Sequence, residues 1–145
     1  VVDKSQYIKA GFTGAVGAFG GLVAEQLGGW TSDMKALITC MAIDFILGCM
    51  IAFVLKKSPK TDSGAGGSQA MWIGLCRKGV TLLIVFVAYQ LDLVLKVNYI
   101  RTAVIISFIA NEVVSIVENS AIIGVPMPAA LKKAIDILKS KEKED

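Results

Sequence analysis

Ala36–Leu55 reads ALITCMAIDFILGCMIAFVL, with Lys35 before it and Lys56 after it. About 20 mostly apolar residues are what a helix needs to cross the hydrocarbon core of a bilayer. This stretch has that length, and Asp44 is the one charge inside it. It therefore predicts a membrane span over about 35–55, and the rest of the chain is to be read in the same solvent.

Outward from it, three more segments fit. Val80–Leu95, VTLLIVFVAYQLDLVL, is short for a crossing, and extending it back to about residue 76 brings in Arg77 and Lys78, whose heads are expected to snorkel to the headgroups. A span over about 100–119 starts apolar at Ile100 and turns polar from Asn111. The first segment, Ala10–Leu27 within a span of about 8–29, is AGFTGAVGAFGGLVAEQL. Its glycines would each cost about 1 kcal/mol in a water-exposed helix, but are better tolerated in a bilayer. Tyr7 and Trp30 bracket it as interfacial aromatics do. It either spans or lies in the interface. The expected fold is an all-α integral membrane protein of about four transmembrane helices, three if the first is interfacial.

Residues 56–75 form the longest polar loop, marked by Pro59, Gly64, Gly66 and Gly67. Past residue 128 comes a short amphipathic helix with Leu131, Ile135 and Leu138 on one face, then a charged tail to Asp145. The membrane domain is thus 1–128, and 129–145 a surface appendage. With four spans and an inner N-terminus, all but Lys35, Lys96 and Arg101 of the 15 Lys and Arg fall on one side. The positive-inside rule makes that side cytoplasmic, with both termini on it.

Composition agrees: 54% hydrophobic and 19% charged residues, against about 25% charged in soluble domains. The net charge of +3 comes without a basic run interleaved with aromatics, which gives no support to nucleic-acid binding. With no histidine and no ligand-spaced cysteines, neither a metal site nor a cofactor is expected. Cys40 and Cys49 fall on opposite faces of one helix and cannot pair. No small-residue cleavage site follows the first apolar stretch, so a cleaved signal peptide is not expected. There is no Ser-His-Asp set, Walker loop or dinucleotide fingerprint, hence no catalytic residue is assigned.

The informative residues are polar ones at bilayer depth, each costing roughly 2.5–3.5 kcal/mol if charged. On a helical wheel Ser107, Asn111, Glu112, Ser115, Glu118 and Asn119 share one arc of the last span. Asp44 and Asp92 stand in the preceding spans. Two readings stay open: the stripes satisfy each other inside one protomer, or they seal against sister copies and later line an aqueous opening. Gly14, Gly17, Gly21 and Gly48 are candidate helix-packing positions, with Gly17 and Gly21 at GxxxG spacing.

Ile109-Ala-Asn-Glu112 through Ser115-Ile-Val-Glu118-Asn119, followed by Gly124-Val-Pro126-Met-Pro128 and a lysine-rich helix, resembles the C-terminal half of the phage-lysis and toxin-secretion holins. Gly74-Leu-Cys-Arg77-Lys78, Leu91-Asp92, Leu27-Gly-Gly-Trp30 and Asp44-Phe-Ile-Leu-Gly48 extend the likeness upstream in order. The resemblance implies a homo-oligomer in the cytoplasmic membrane of a Gram-positive host. It also implies non-specific holes, with an endolysin or a toxin as the functional partner and no required contact between them. A small ion or solute transporter using Asp44, Asp92 or Glu112 is the alternative, weakened by the lack of an inverted repeat. A third reading is an antiholin-like regulator whose last helix binds a partner.

Overall fold

The computed structural model describes residues 3–60, 62–64 and 66–141. The chain runs as α1 (Lys4–Gln26), α2 (Ser32–Cys49), α3 (Ser68–Leu95), α4 (Ile100–Ile123) and α5 (Ala129–Lys141). One wider, π-type stretch, Met50–Leu55, carries α2 on to the polar loop. Among the described residues there is no strand. Lys4–Gln26, Ser32–Leu55, Ser68–Leu95 and Ile100–Ile123 are each long and apolar enough to cross a membrane. The architecture expected from sequence is the one observed.

Helix ends follow local chemistry. Asp3 caps α1 by accepting from the Ser5 amide. Gly28 and Gly29, with φ of 84° and 90°, end that helix before the expected residue 29. α3 begins at Ser68, earlier than residue 76, because nothing from Ser68 to Gly74 breaks a helix and the apolar Met71, Trp72 and Ile73 continue it. α4 runs on to Ile123 and stops at Gly124, whose φ of 93° lets the Val125 amide reach back to the Ser120 carbonyl at 3.0 Å. Pro126 and Pro128 then keep the chain extended until α5. Ile135 of α5 is buried while Leu131 is exposed; the Leu138 side chain and residues 142–145, part of the predicted tail, lie outside the described residues.

α4 is the middle helix, packed against α2 on one side and α3 on the other. Met34, Leu37 and Met41, on one stripe of α2, meet Val85 of α3 and Ile105 of α4 to form the buried core. α1 stands apart. Apart from Ala24 at its base it is almost wholly exposed, and a Cβ on Gly11, Gly14, Gly17, Gly20 or Gly21 meets nothing within 4 Å.

The base of α1 is nevertheless fastened. Arg101, in the first turn of α4, is buried and donates from Nε to the Leu27 carbonyl at 2.5 Å. Its Nη2 reaches the Gly29 carbonyl at 3.2 Å and Thr31 Oγ1 at 3.0 Å, with Asp33 3.7 Å from Nη1. A cation in the first helical turn opposes the helix dipole, and these acceptors offset that. Gly28 is where the turn between α1 and α2 touches α3 and α4: a Cβ there falls 2.7 Å from Arg101 Nε and 2.9 Å from Tyr89 Cδ2. Gly28→Ala therefore carries both backbone strain and a clash, whereas Gly29→Ala, with nothing within 4 Å of its Cβ, carries strain alone. In detergent, Gly28→Ala is expected to lose about 2–3 kcal/mol of unfolding free energy and Gly29→Ala about 1. Equal losses would contradict this account of the clasp.

Candidate functional site: a polar cluster at bilayer depth

Asp44 lies about 18 Å along α2 from Ser32, and Glu112 about 18 Å along α4 from Ile100, at ~1.5 Å per residue. Both carboxylates thus sit near the middle of a hydrocarbon core about 30 Å thick. Lys78 enters from farther along α3 and reaches inward, not out to the headgroups. Its Nζ donates to Asp44 Oδ2 at 2.9 Å and to Glu112 Oε2 at 2.7 Å. The side chains of all three are only 14–15% exposed.

The second oxygen of Asp44 is also engaged. Ser115 Oγ donates to Asp44 Oδ1 at 2.6 Å and Asn119 Nδ2 donates to it at 2.9 Å. Glu112, Ser115 and Asn119 project from one face of α4 because they follow at three and four residues, on adjacent turns. That face meets Asp44 on α2 and Lys78 on α3 at once. Among the described residues no buried side-chain nitrogen or oxygen lacks a partner. The cluster still carries one ammonium against two carboxylates.

A cavity of about 240 Å³ opens beside it, lined by Asp44, Lys78, Glu112 and Asn119 at one end and by Ser58, Pro59 and Lys60 of the polar loop at the other. Its wall mixes these polar groups with apolar ones such as Phe45, Ile51 and Ala52, and it has room for several water molecules. Asn111 and Gly48 line it as well; a Cβ on Gly48 would touch nothing within 4 Å. Among the described residues no group of histidine, cysteine, aspartate and glutamate side chains is arranged to hold a metal ion.

The structure brings together Asp44, Glu112, Ser115 and Asn119 of the residues singled out from sequence, and adds Asn111 at the cavity wall. Glu118 is exposed. Ser107 is exposed and donates back to the Ala103 carbonyl of its own helix at 3.0 Å. Asp92 stands elsewhere: buried, it accepts from the Ile100 amide at Oδ1 and the Arg101 amide at Oδ2, both at 3.0 Å. It caps α4, whose own N-cap residue, Tyr99, offers no side-chain bond. Sequence reasoning missed Lys78 as the partner and Arg101 as a buried clasp. A signal existed for both: a carboxylate at mid-span needs a cation within reach, and a cation in a helix's first turn needs acceptors.

The sequence profile of the bacteriophage holin family matches residues 21–140. A probable holin of Bacillus phage phi105 is 31% identical over 82% of this chain and 83% of its own length. An uncharacterized protein of Halalkalibacterium halodurans is 34% identical over 83% of this chain and 87% of its own. An uncharacterized 14.9 kDa protein of Clostridium perfringens is 32% identical over 94% of this chain and 96% of its own. No solved structure matches.

Lys78→Met leaves two carboxylates deep in the bundle with no counter-charge, and is expected to destabilise the protein by about 2–4 kcal/mol in detergent. The triple change Asp44→Asn, Lys78→Met, Glu112→Gln removes all three charges and is expected to recover at least half of that loss. Reversible unfolding followed by circular dichroism checks this; a triple variant as unstable as Lys78→Met would contradict it.

Proposed function

The chain belongs to the bacteriophage holin family, and from that premise we propose that its product is a hole in the cytoplasmic membrane. Copies gather as closed protomers, associate, and open lesions that do not discriminate among solutes. An endolysin or a toxin then crosses by the opening without docking on this chain. The activity is physical: no bond is made or broken.

The observation that carries this reading is the deep cluster of Asp44, Lys78, Glu112, Ser115 and Asn119. While its members mate inside one protomer, the bilayer tolerates them. The surplus carboxylate makes the cluster one that gains from hydration once water reaches it, so the groups that close the protomer also suit the wall of an aqueous opening. α1 supports association. Ala10, Gly14, Gly17 and Gly21 share one face of it, and a Cβ on any of these glycines would meet nothing within 4 Å in its own protomer. A face of small residues allows the backbone of a neighbouring helix to approach closely. The proposed orientation keeps both termini and the 56–67 loop in the cytoplasm, on the excess of lysine and arginine there.

A second reading, a cation channel or transporter, has its own support: the cavity joins a net-negative cluster to the polar loop. Reconstitution separates the two. Liposomes loaded with both a small dye and a folded protein are expected to release both above a threshold protein density. Cation flux with both cargoes retained would favour the channel, and sealed vesicles at every density would overturn both. Gly17→Leu is expected to change the ladder of cross-linked oligomers and delay release; an unchanged ladder would remove α1 from the contact between copies.

A further inference from the structure

The face of α3 turned away from the deep cluster carries a second hollow. Gln69 and Trp72 lie at its end nearest the polar loop, Arg77 midway, and Val80, Ile84 and Phe108 of α4 beyond. Gln69, Arg77, Val80 and Ile84 follow one another at helical spacing, so the hollow is a groove running along α3. Its chemistry changes along its length, from amide, indole and guanidinium to mostly apolar.

Arg77 is on the rim that this groove shares with the cavity beside Lys78. It is exposed, and its guanidinium has no hydrogen bond or ion pair with another described residue. Its neighbour Lys78 already serves both deep carboxylates, so Arg77 is not needed to neutralise them. Arg77 stands about 22 Å along α3 from Asp92, whose carboxylate is level with the first turn of α4, so its long side chain snorkels across the remaining ~8 Å to the far boundary of a hydrocarbon core about 30 Å thick. That is the level of lipid phosphates, and the amphipathic Trp72 sits one to two turns farther toward the same side. Lys56, Lys57 and Lys60, all exposed, line the adjoining loop and add positive potential. Below Arg77 the groove presents Val80, Ile84 and Phe108, with the hydroxyl of Thr81 turned back onto the Arg77 carbonyl of its own helix, at the depth of an acyl chain.

We propose that this groove is a binding site for one anionic phospholipid, its phosphate on Arg77 and one acyl chain against Val80, Ile84 and Phe108. Charge complementarity names the occupant: a zwitterionic lipid offers the same chain but brings its own cation to Arg77, and a free anion has no use for the apolar half. A planar guanidinium also takes a phosphate through two parallel bonds. The site depends on the membrane location of the chain and not on hole formation.

The test uses full-length protein with Trp30→Phe, which leaves Trp72 as the one remaining tryptophan of two. It is placed in phosphatidylcholine bicelles doped with lipids carrying dibrominated acyl chains, which quench nearby indole fluorescence. Dibrominated phosphatidylglycerol is expected to reach half-maximal quenching at about one-fifth the mole fraction required by dibrominated phosphatidylcholine. Arg77→Gln is expected to abolish that preference and Arg77→Lys to keep most of it. Should Arg77→Gln fail to fold by circular dichroism, Ile84→Trp in a background also carrying Trp72→Phe places the reporter in the acyl half with Arg77 intact, and the same fivefold preference is expected there. Equal quenching by the two lipids would overturn the proposal. So would a preference lost on Lys56→Gln, Lys57→Gln and Lys60→Gln but not on Arg77→Gln, which marks diffuse surface charge. Abolition of the preference by millimolar glycerol phosphate would mark a free-anion site and overturn it too.

Discussion

An ammonium shared by two carboxylates at the middle of a bilayer is the arrangement on which the rest of this protein depends. Either acid alone at that depth costs roughly 2.5–3.5 kcal/mol, and no lipid offers a compensating donor. Lys78 supplies it to Asp44 and Glu112 together, which obliges α2, α3 and α4 to meet at one level. Ser115 and Asn119 then fix Asp44 from the α4 side, making α4 the middle helix of the bundle. Apolar packing of Leu37, Val85 and Ile105 fills the remaining contact. In lipid such packing has little solvophobic drive, because lipid tails are as apolar as the side chains. Polar mating therefore has an outsized share in choosing which helices assemble.

The same arrangement separates a closed part from an unfinished one. α2, α3 and α4 satisfy each other, while α1 is tied to them at its base by Arg101 and otherwise left uncovered. Arg101 in turn depends on Asp92, whose carboxylate receives the first amides of α4. One end of the bundle is thus a clasp joining the α1–α2 turn to the start of α4, and the middle is a charge cluster beside a cavity. The clasp suits permanence: two of its acceptors, the Leu27 and Gly29 carbonyls, belong to the backbone of the turn itself. The cluster suits change, because all its members are side chains and water can replace each of them.

Much of this was legible in the chain. Hydropathy located the four long helices, and the polar stripe on α4 was visible as a wheel arc containing Glu112, Ser115 and Asn119. What a wheel orders is one helix at a time. It cannot say that Lys78, thirty-four residues from both Asp44 and Glu112, turns inward to join them, and general experience with long basic side chains points the other way. Asp92 misled for a related reason. Its place on an apolar helix suggested the stripe, but the turn after it is short enough to return α4 onto its carboxylate, and only the absence of a capping residue at Tyr99 hinted at that use. Gly28 and Gly29 stood out in the sequence only as part of Leu27-Gly-Gly-Trp30; their positive φ angles, and the contact of Gly28 with Arg101, show that they serve the turn.

On the proposed function, side chains mated within one protomer become the water-facing surface of the opening when the membrane is breached. Ser115→Cys, with Cys40, Cys49 and Cys76 changed to serine, places a reporter thiol within the cluster. Its labelling by a charged, membrane-impermeant thiol reagent can be followed in cells expressing the protein. No labelling is expected before collapse of the membrane potential, and rapid labelling immediately after it. A thiol that stays protected through collapse, or one that reacts from the start, would contradict it.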